Sequence, residues 1–349
     1  MSLFGLRGRA FFDALQHHPL FPSHRFRLPC PPYNNPTFWD QLYKDMTYDM
    51  VNEWGAVDLS GGLLSFRCHR VPLGGDGGGG EEDKIMTSTF ANWMGVTQLD
   101  TPEEASQVYQ QQQQQQQQQN EHSTNNNEAI LILGCGNSKL GEQLLTHSFI
   151  GPILQVDIST KVIQLMTQRY HNYLSSSNVV KRMEFMVDDA STGLTSLEPQ
   201  SVGGGVVDKG LLDVLHCSAG PMVRDEDNDN ITNDEEDDMI QRIMSSVHNV
   251  LQPSRPFVFF SRSEPQWMLR RVLGQNGYDN LINGGRRRSK MLWRDVEVVK
   301  LVDYDLMLYK LVKADNNDDV GEEDEETTNS IDRRTYLKRL KSGAKKTKR

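Results

Sequence analysis

Four short motifs bring glycines and carboxylates to places where chemistry can be done. They are Leu133-Gly134-Cys135-Gly136-Asn137-Ser138, Asp157-Ile158, Asp188-Asp189-Ala190 and Asp208-Lys209-Gly210-Leu211-Leu212-Asp213. A glycine turn lets backbone approach a ligand closely, and the free N–H groups of a helix start behind it favour polar or anionic atoms. Asp157 stands 23 residues after Gly134, where a carboxylate can accept both hydroxyls of a ribose; an Asp there equally suits a helix cap. Asp189 can accept from an adenine amino group while Ala190 leaves room for the ring, although an acid at a strand end is common. Asp208 and Asp213 flank a turn that is either a ligand edge or a plain surface loop. Each motif is weak by itself. Their succession behind one glycine turn describes a nucleoside-binding edge.

The turn favours S-adenosylmethionine over a dinucleotide. A pyrophosphate fingerprint needs a third glycine at position 139, which is Lys139 here, and S-adenosylmethionine has no pyrophosphate to cradle. No metal is expected. The four cysteines, Cys30, Cys68, Cys135 and Cys217, form no CxxC pair, which argues against a zinc site and a disulfide framework and suggests a reducing compartment.

The elements that must position these motifs alternate between strand and helix. The run 129–133 (AILIL) is apolar throughout, as in a strand buried on both faces of a parallel sheet. A helix over about 138–147 follows. Strands at 153–156, 183–187, 202–207 and 256–260 each run into or toward a polar motif, with Ser159 as the cap of a helix reaching about Tyr173. Apolar residues from Met239 to Leu251 recur at helical spacing, and a helix is expected over 264–273. Two last strands, 296–302 and 306–312, are joined so tightly that they must be antiparallel. The fold class is therefore α/β: a doubly wound sheet, mostly parallel with an antiparallel closing strand.

Composition divides the rest. Residues 1–35 are a disordered leader or a transit peptide, with Arg7, Arg9, Arg25 and Arg27 against Asp13. Residues 36–66 are an ordered N-terminal lid with aromatic anchors. Residues 67–127 hold Gly77 to Gly80, ten consecutive glutamines at 110–119 and Asn125 to Asn127; this stretch is expected to be a disordered insertion. Residues 128–313 form the main domain, and 314–349 a disordered tail, acidic then basic. The net charge of −10 arises mostly in polar runs: nine acids in 225–238 and eight in 315–326, against nine bases in 333–349. No apolar run approaches the roughly 20 residues that span a bilayer.

With Phe38-Trp39-Asp40-Gln41-Leu42-Tyr43 and Glu53-Trp54 upstream, this set of motifs resembles a methyltransferase-like family of class I S-adenosylmethionine-dependent methyltransferases. That family includes lysine methyltransferases acting on elongation factor 1-alpha and on citrate synthase. The resemblance covers residues 37–65 and 128–313, and the closing hairpin matches the class I strand order. It implies Trp39, Tyr43 and Trp54 over the bound cofactor. It also implies Gly134 beside the methionine part in a turn completed by Cys135, Gly136 and Asn137, with Asp157 and Ile158 at the ribose. Asp189 and Ala190 would meet the adenine, and Lys209 the sulfonium end. Two departures stand out. Gly55 replaces the usual aromatic after Glu53-Trp54, and the insertion between lid and sheet must loop outwards if the lid is to close.

Methyl transfer to a lysine amine needs the amine deprotonated, and Asp208 and Asp213 are the candidates for shaping the acceptor pocket, with Trp54 as a wall. The expected partner is a protein substrate with an acceptor lysine; a small-molecule acceptor and a catalytically silent binding module stay open. A monomer is expected, with no membrane and no nucleic acid as partner, in the cytoplasm or alternatively the mitochondrion.

Overall fold

The computed structural model describes residues 35–48, 66–73, 85–118, 128–146, 149–175, 182–218, 234–282, 292–304 and 306–315. The leader up to residue 34, Trp54, Gly55 and the tail from 316 lie outside these residues.

One nine-stranded sheet organises the chain. Its strands are β1 (Phe66–Arg70), β2 (Met86–Ser88), β3 (Ile130–Leu133), β4 (Ile153–Asp157), β5 (Met183–Val187), β6 (Gly205–Asp208), β7 (Pro256–Ser261), β8 (Trp293–Leu301) and β9 (Met307–Lys313). They lie in the order β2-β1-β8-β9-β7-β6-β3-β4-β5. Strands β5, β4, β3, β6 and β7 are mutually parallel, whereas β9 runs antiparallel to both β7 and β8. The doubly wound sheet with an antiparallel closing strand read from the sequence is the fold of the chain.

Helices cover both faces. Helix α1 (Pro36–Leu42), α2 (Phe90–Met94), α3 (Pro102–Gln118), α4 (Leu140–Thr146) and α5 (Thr160–Ser175) precede β5; α6 (Leu211–Ser218), α7 (Asp234–Val250) and α8 (Pro265–Ile282) follow it. Alternation along each strand feeds two separate cores. Ile130 and Ile132 of β3 join Tyr43, Trp93, Leu140 and Met166 on one face, while Leu131 and Leu133 join Leu212, Ile243 and Leu269 on the other. Strand β7 is buried along its whole length, and Phe259 stacks on Tyr309 of β9 at 4.5 Å. Burying such side chains contributes about 1.5–3 kcal/mol each, which secures the antiparallel strand beside the parallel set.

The stretch 67–127, expected as a disordered insertion, differs from that expectation. It supplies β1 and β2, which extend the sheet beyond β8 in antiparallel register (Cys68 opposite Leu301), and α2, whose Phe90, Trp93 and Met94 are buried. The glutamine tract continues α3 through Gln118. Thr101 caps that helix through the Glu104 N–H at 3.2 Å, Pro102 opens it, and Glu103 and Glu104 favour its positive end. Ala105 and Ser106 are buried, and the Arg182 guanidinium lies 5.8 Å over the Tyr109 ring. Among the described residues no helix is long and apolar enough to cross a membrane.

Candidate functional site

The order in which strands are added to the sheet reverses between the parallel neighbours β3 and β6. From β3 the chain winds outward through β4 and β5, then returns to lay β6 and β7 on the other side. Open α/β sheets bind ligands at the carboxyl ends of the strands flanking such a switch point. Register brings the predicted residues to that edge: Leu133 pairs with Val156 and with Asp208, and Asp157 pairs with Val187. The glycine turn, Asp157, the Asp188-Asp189 pair and the Asp208 loop therefore leave the sheet side by side.

Gly134 and Gly136 both adopt left-handed backbone, with φ of 57° and 50°. A Cβ at Gly134 would come within 2.9 Å of the Leu211 Cβ, so the turn and the start of α6 pack without room for a side chain. A Cβ at Gly136 would meet the Tyr43 hydroxyl at 3.2 Å. Cys135 N–H donates to the Val156 carbonyl at 3.0 Å, and the Cys135 thiol is buried, which pushes its pKa well up. Asn137 is buried too, its side-chain N–H donating to the Met46 sulfur at 3.6 Å.

Asp157 locks this turn to β4. Its Oδ2 accepts the Gly136 N–H and its Oδ1 the Ser159 N–H, both at 2.9 Å. Burial pushes its pKa up to about 6 against the pull of these amides and of Ile158 N–H, and the nearby Asp40 adds to the rise. Ile158 is half-buried beside it. At the β5 tip, Asp189 Oδ1 caps a 3-10 turn (Ala190–Thr192), accepting Ser191 N–H at 2.8 Å and the Ser191 hydroxyl at 2.7 Å; Ala190 is buried beneath.

The β6 loop is organised by the two carboxylates expected in the acceptor pocket. Asp208 is 0% exposed, and it accepts N–H groups of Gly210 at 2.9 Å, Leu211 at 2.7 Å and Leu212 at 2.9 Å, capping α6. Burial pushes it up to about 7, opposed by those amides. Asp213 accepts the Ser261 hydroxyl and, at 3.0 Å, the Arg262 N–H, tying the α6 start to the end of β7. Lys209 is buried between them in sequence.

Helix α1 lies over the turn. Asn35 caps it, accepting Thr37 N–H at 2.9 Å, and Pro36 opens it. Trp39 and Tyr43 stack one turn apart at 6.3 Å, Tyr43 being buried with its hydroxyl pKa raised by burial first and by Asp157 second. Two residues that the sequence reading missed hold the assembly. Asp40 accepts the Ser159 hydroxyl at 2.6 Å, and Arg169 of α5 donates to the carbonyls of Asn137 at 3.0 Å and Ser138 at 2.6 Å while pairing with Glu142 at 2.7 Å. Asp40 stands inside the Phe38-to-Tyr43 motif, yet no spacing gives either residue this role, since their partners lie 119 and 27–32 positions away. Among the described residues no group of three or more His, Cys, Asp or Glu could hold a metal.

No family model matches the chain. It is 29% identical over 150 residues, 42% of its length, to the eEF1A lysine and N-terminal methyltransferase of Bos taurus, of which it spans 18%. In fold it is similar to a SAM-dependent methyltransferase from Aquifex aeolicus, with 11% identity over 54% of this chain and 83% of that one at a TM-score of 0.35. It is also similar to an arsenic(III) S-adenosylmethionine methyltransferase from Chlamydomonas reinhardtii, with 15% identity over 54% and 65% at a TM-score of 0.33.

Proposed function

We propose that this chain is an S-adenosylmethionine-dependent methyltransferase whose acceptor is a lysine side chain of a protein, of the elongation factor 1-alpha or citrate synthase kind. The observation carrying the reading is the shared register of the glycine turn, Asp157 and Asp189 along one sheet edge, with Gly136 bonded to Asp157. The cattle relative, named for eEF1A lysine methylation, supports the acceptor class.

The residues suit the cofactor. Each Asp157 oxygen accepts one side of the local backbone, and an ionised carboxylate has acceptor capacity beyond these two bonds for a ribose diol. Asp189 and Ala190 take the adenine edge and ring. Gly134 and Gly136 keep the turn free of side chains where the methionine part lies, with Cys135 and Asn137 fixing its backbone. Trp39 and Tyr43 of α1 exclude water above it, and Lys209 stands toward the sulfonium end. When bound, S-adenosylmethionine supplies a methyl group already activated for direct displacement. The chain therefore has to hold the acceptor in line, keep water out and ease loss of its proton, the lysine reference pKa being about 10.4. Asp208 and Asp213 serve this by holding the β6 and β7 loops in place, since their oxygens are engaged by those loops.

The test is to incubate the full chain with radiolabelled S-adenosylmethionine and a cell lysate depleted of endogenous cofactor. A labelled protein band with methyl-lysine by mass spectrometry is expected. Label confined to small molecules would overturn the protein acceptor, and no label with no calorimetric cofactor binding would overturn the activity.

A further inference from the structure

The carboxylate of Asp40 on α1 reaches the start of α5. Its Oδ1 accepts the Ser159 hydroxyl at 2.6 Å and the Lys161 N–H at 3.0 Å. Ser159 is fully buried and already caps its own helix, accepting Val162 N–H at 3.2 Å. Its N–H donates to Asp157, whose other oxygen takes the Gly136 N–H. One unbroken line of hydrogen bonds thus runs from α1 to the glycine turn: Asp40, Ser159, Asp157, Gly136. Helix α5 does not need a second acceptor from so far along the chain to begin, so capping is an incomplete account of Asp40.

We propose that Asp40 is a positioning residue of the cofactor site, latching α1 onto α5 and fixing, through Ser159, the orientation of Asp157 toward the ribose. The inference rests on the S-adenosylmethionine reading of that edge. Outer hydrogen-bond partners of this kind help to fix the orientation of a ligand-binding carboxylate. They also couple two events: with α1 docked, the ribose carboxylate is aimed and the aromatic cover of Trp39 and Tyr43 is in place. Asp40 is held ionised by the Ser159 hydroxyl and the Lys161 amide, so its charge bears on Asp157. The other groups facing Asp157 are the Tyr43 hydroxyl from α1 and the Cys135 thiol from the turn, with Lys161 beside Asp40.

The test is calorimetric titration of S-adenosylmethionine into the full chain and its Asp40→Ala, Asp40→Asn, Ser159→Ala and Asp40→Ala/Ser159→Ala forms. Asp40→Ala is expected to bind about 10–50-fold more weakly, the scale of losing a charge-assisted hydrogen bond. Asp40→Asn keeps an oxygen for both donors, so it should stay within about threefold of wild type while moving the midpoint of the affinity–pH curve down. The double variant should be no weaker than the weaker single one, as residues acting through one line are not additive. Wild-type affinity in Asp40→Ala, a loss in Asp40→Asn equal to that in Asp40→Ala, or additive losses would each overturn the latch. Should Asp40→Ala melt below the assay temperature, Asp40→Asn against Asp40→Glu decides, with Glu, one methylene too long, expected to be the weaker binder and equal binding overturning the latch. A folded wild type that binds no S-adenosylmethionine removes the functional reading itself, a result distinct from any of these.

Discussion

The Gly136 amide donates to Asp157 Oδ2 at 2.9 Å, a bond that crosses from the turn after β3 to the tip of β4. The same carboxylate is the one assigned to the ribose, so turn geometry and ligand recognition depend on one side chain. Replacing Asp157 by Asn puts an N–H donor against one of two backbone donors and removes the charge. Cofactor affinity should fall about 10–100-fold, the equivalent of roughly 1.5–3 kcal/mol, in an isothermal titration. Undiminished affinity would dismiss Asp157 as the ribose ligand.

Affinity should also depend on pH in one direction. Ribose hydroxyls donate to an ionised carboxylate, and burial has raised Asp157 to about 6. Binding should therefore strengthen as pH rises through about 6 and level off above it, a trend visible in titrations from pH 5 to 8. The free protein should do the opposite. Asp157 at about 6 and Asp208 at about 7 hold protons more tightly when folded than at the unfolded value of 3.8, so they lower stability as pH rises from about 4 to 7. A melting temperature without cofactor that climbs over that range, net of the other titrating groups, would contradict the burial of these two acids.

Strands β3 and β7 were legible because burial on both faces writes itself as unbroken apolar runs, whereas β4 and β5, interrupted by Gln155 and Glu184, were marked by the acids that follow them, Asp157 and Asp188-Asp189, as β6 was by Asp208. Strand β1 was not. Phe66-Arg67-Cys68-His69-Arg70 carries an inward Cys68 and a half-buried Phe66 but is otherwise polar, and it pairs with β8 through backbone that no side-chain pattern records. Composition misread α3 for a related reason: glutamine is an adequate helix former, and the helix is started by Thr101 and Pro102 rather than by the tract itself. Asp40 and Arg169 were invisible because a hydrogen bond between distant positions leaves no trace in spacing.

Gly136→Ala should damage the turn from two sides. The residue sits at φ 50°, where a non-glycine residue costs roughly 1–2 kcal/mol, and the new Cβ would press the Tyr43 hydroxyl at 3.2 Å. The expected result is a melting temperature lower by several degrees together with weaker cofactor binding, by differential scanning fluorimetry with and without ligand.

Asp208→Asn separates positioning from proton transfer. An amide oxygen can keep part of the Gly210, Leu211 and Leu212 cap, so stability should drop by about 1–2 kcal/mol while turnover of the saturated enzyme stays within about fivefold. A loss of turnover beyond a hundredfold in a folded variant would instead make Asp208 a participant in the chemistry.

Helix α3 is anchored near its start through Ala105, Ser106 and Tyr109, and Gln110 to Gln114 along it are exposed. Each glutamine added or removed past that anchor changes the length of the helix by about 1.5 Å and leaves Ala105 and Ser106 in place. Variants with five more or five fewer glutamines should melt with the parent, by circular dichroism. The exposed part of the repeat, Gln110 to Gln114, thus stands where its length can drift, held off by a few anchored residues ahead of it.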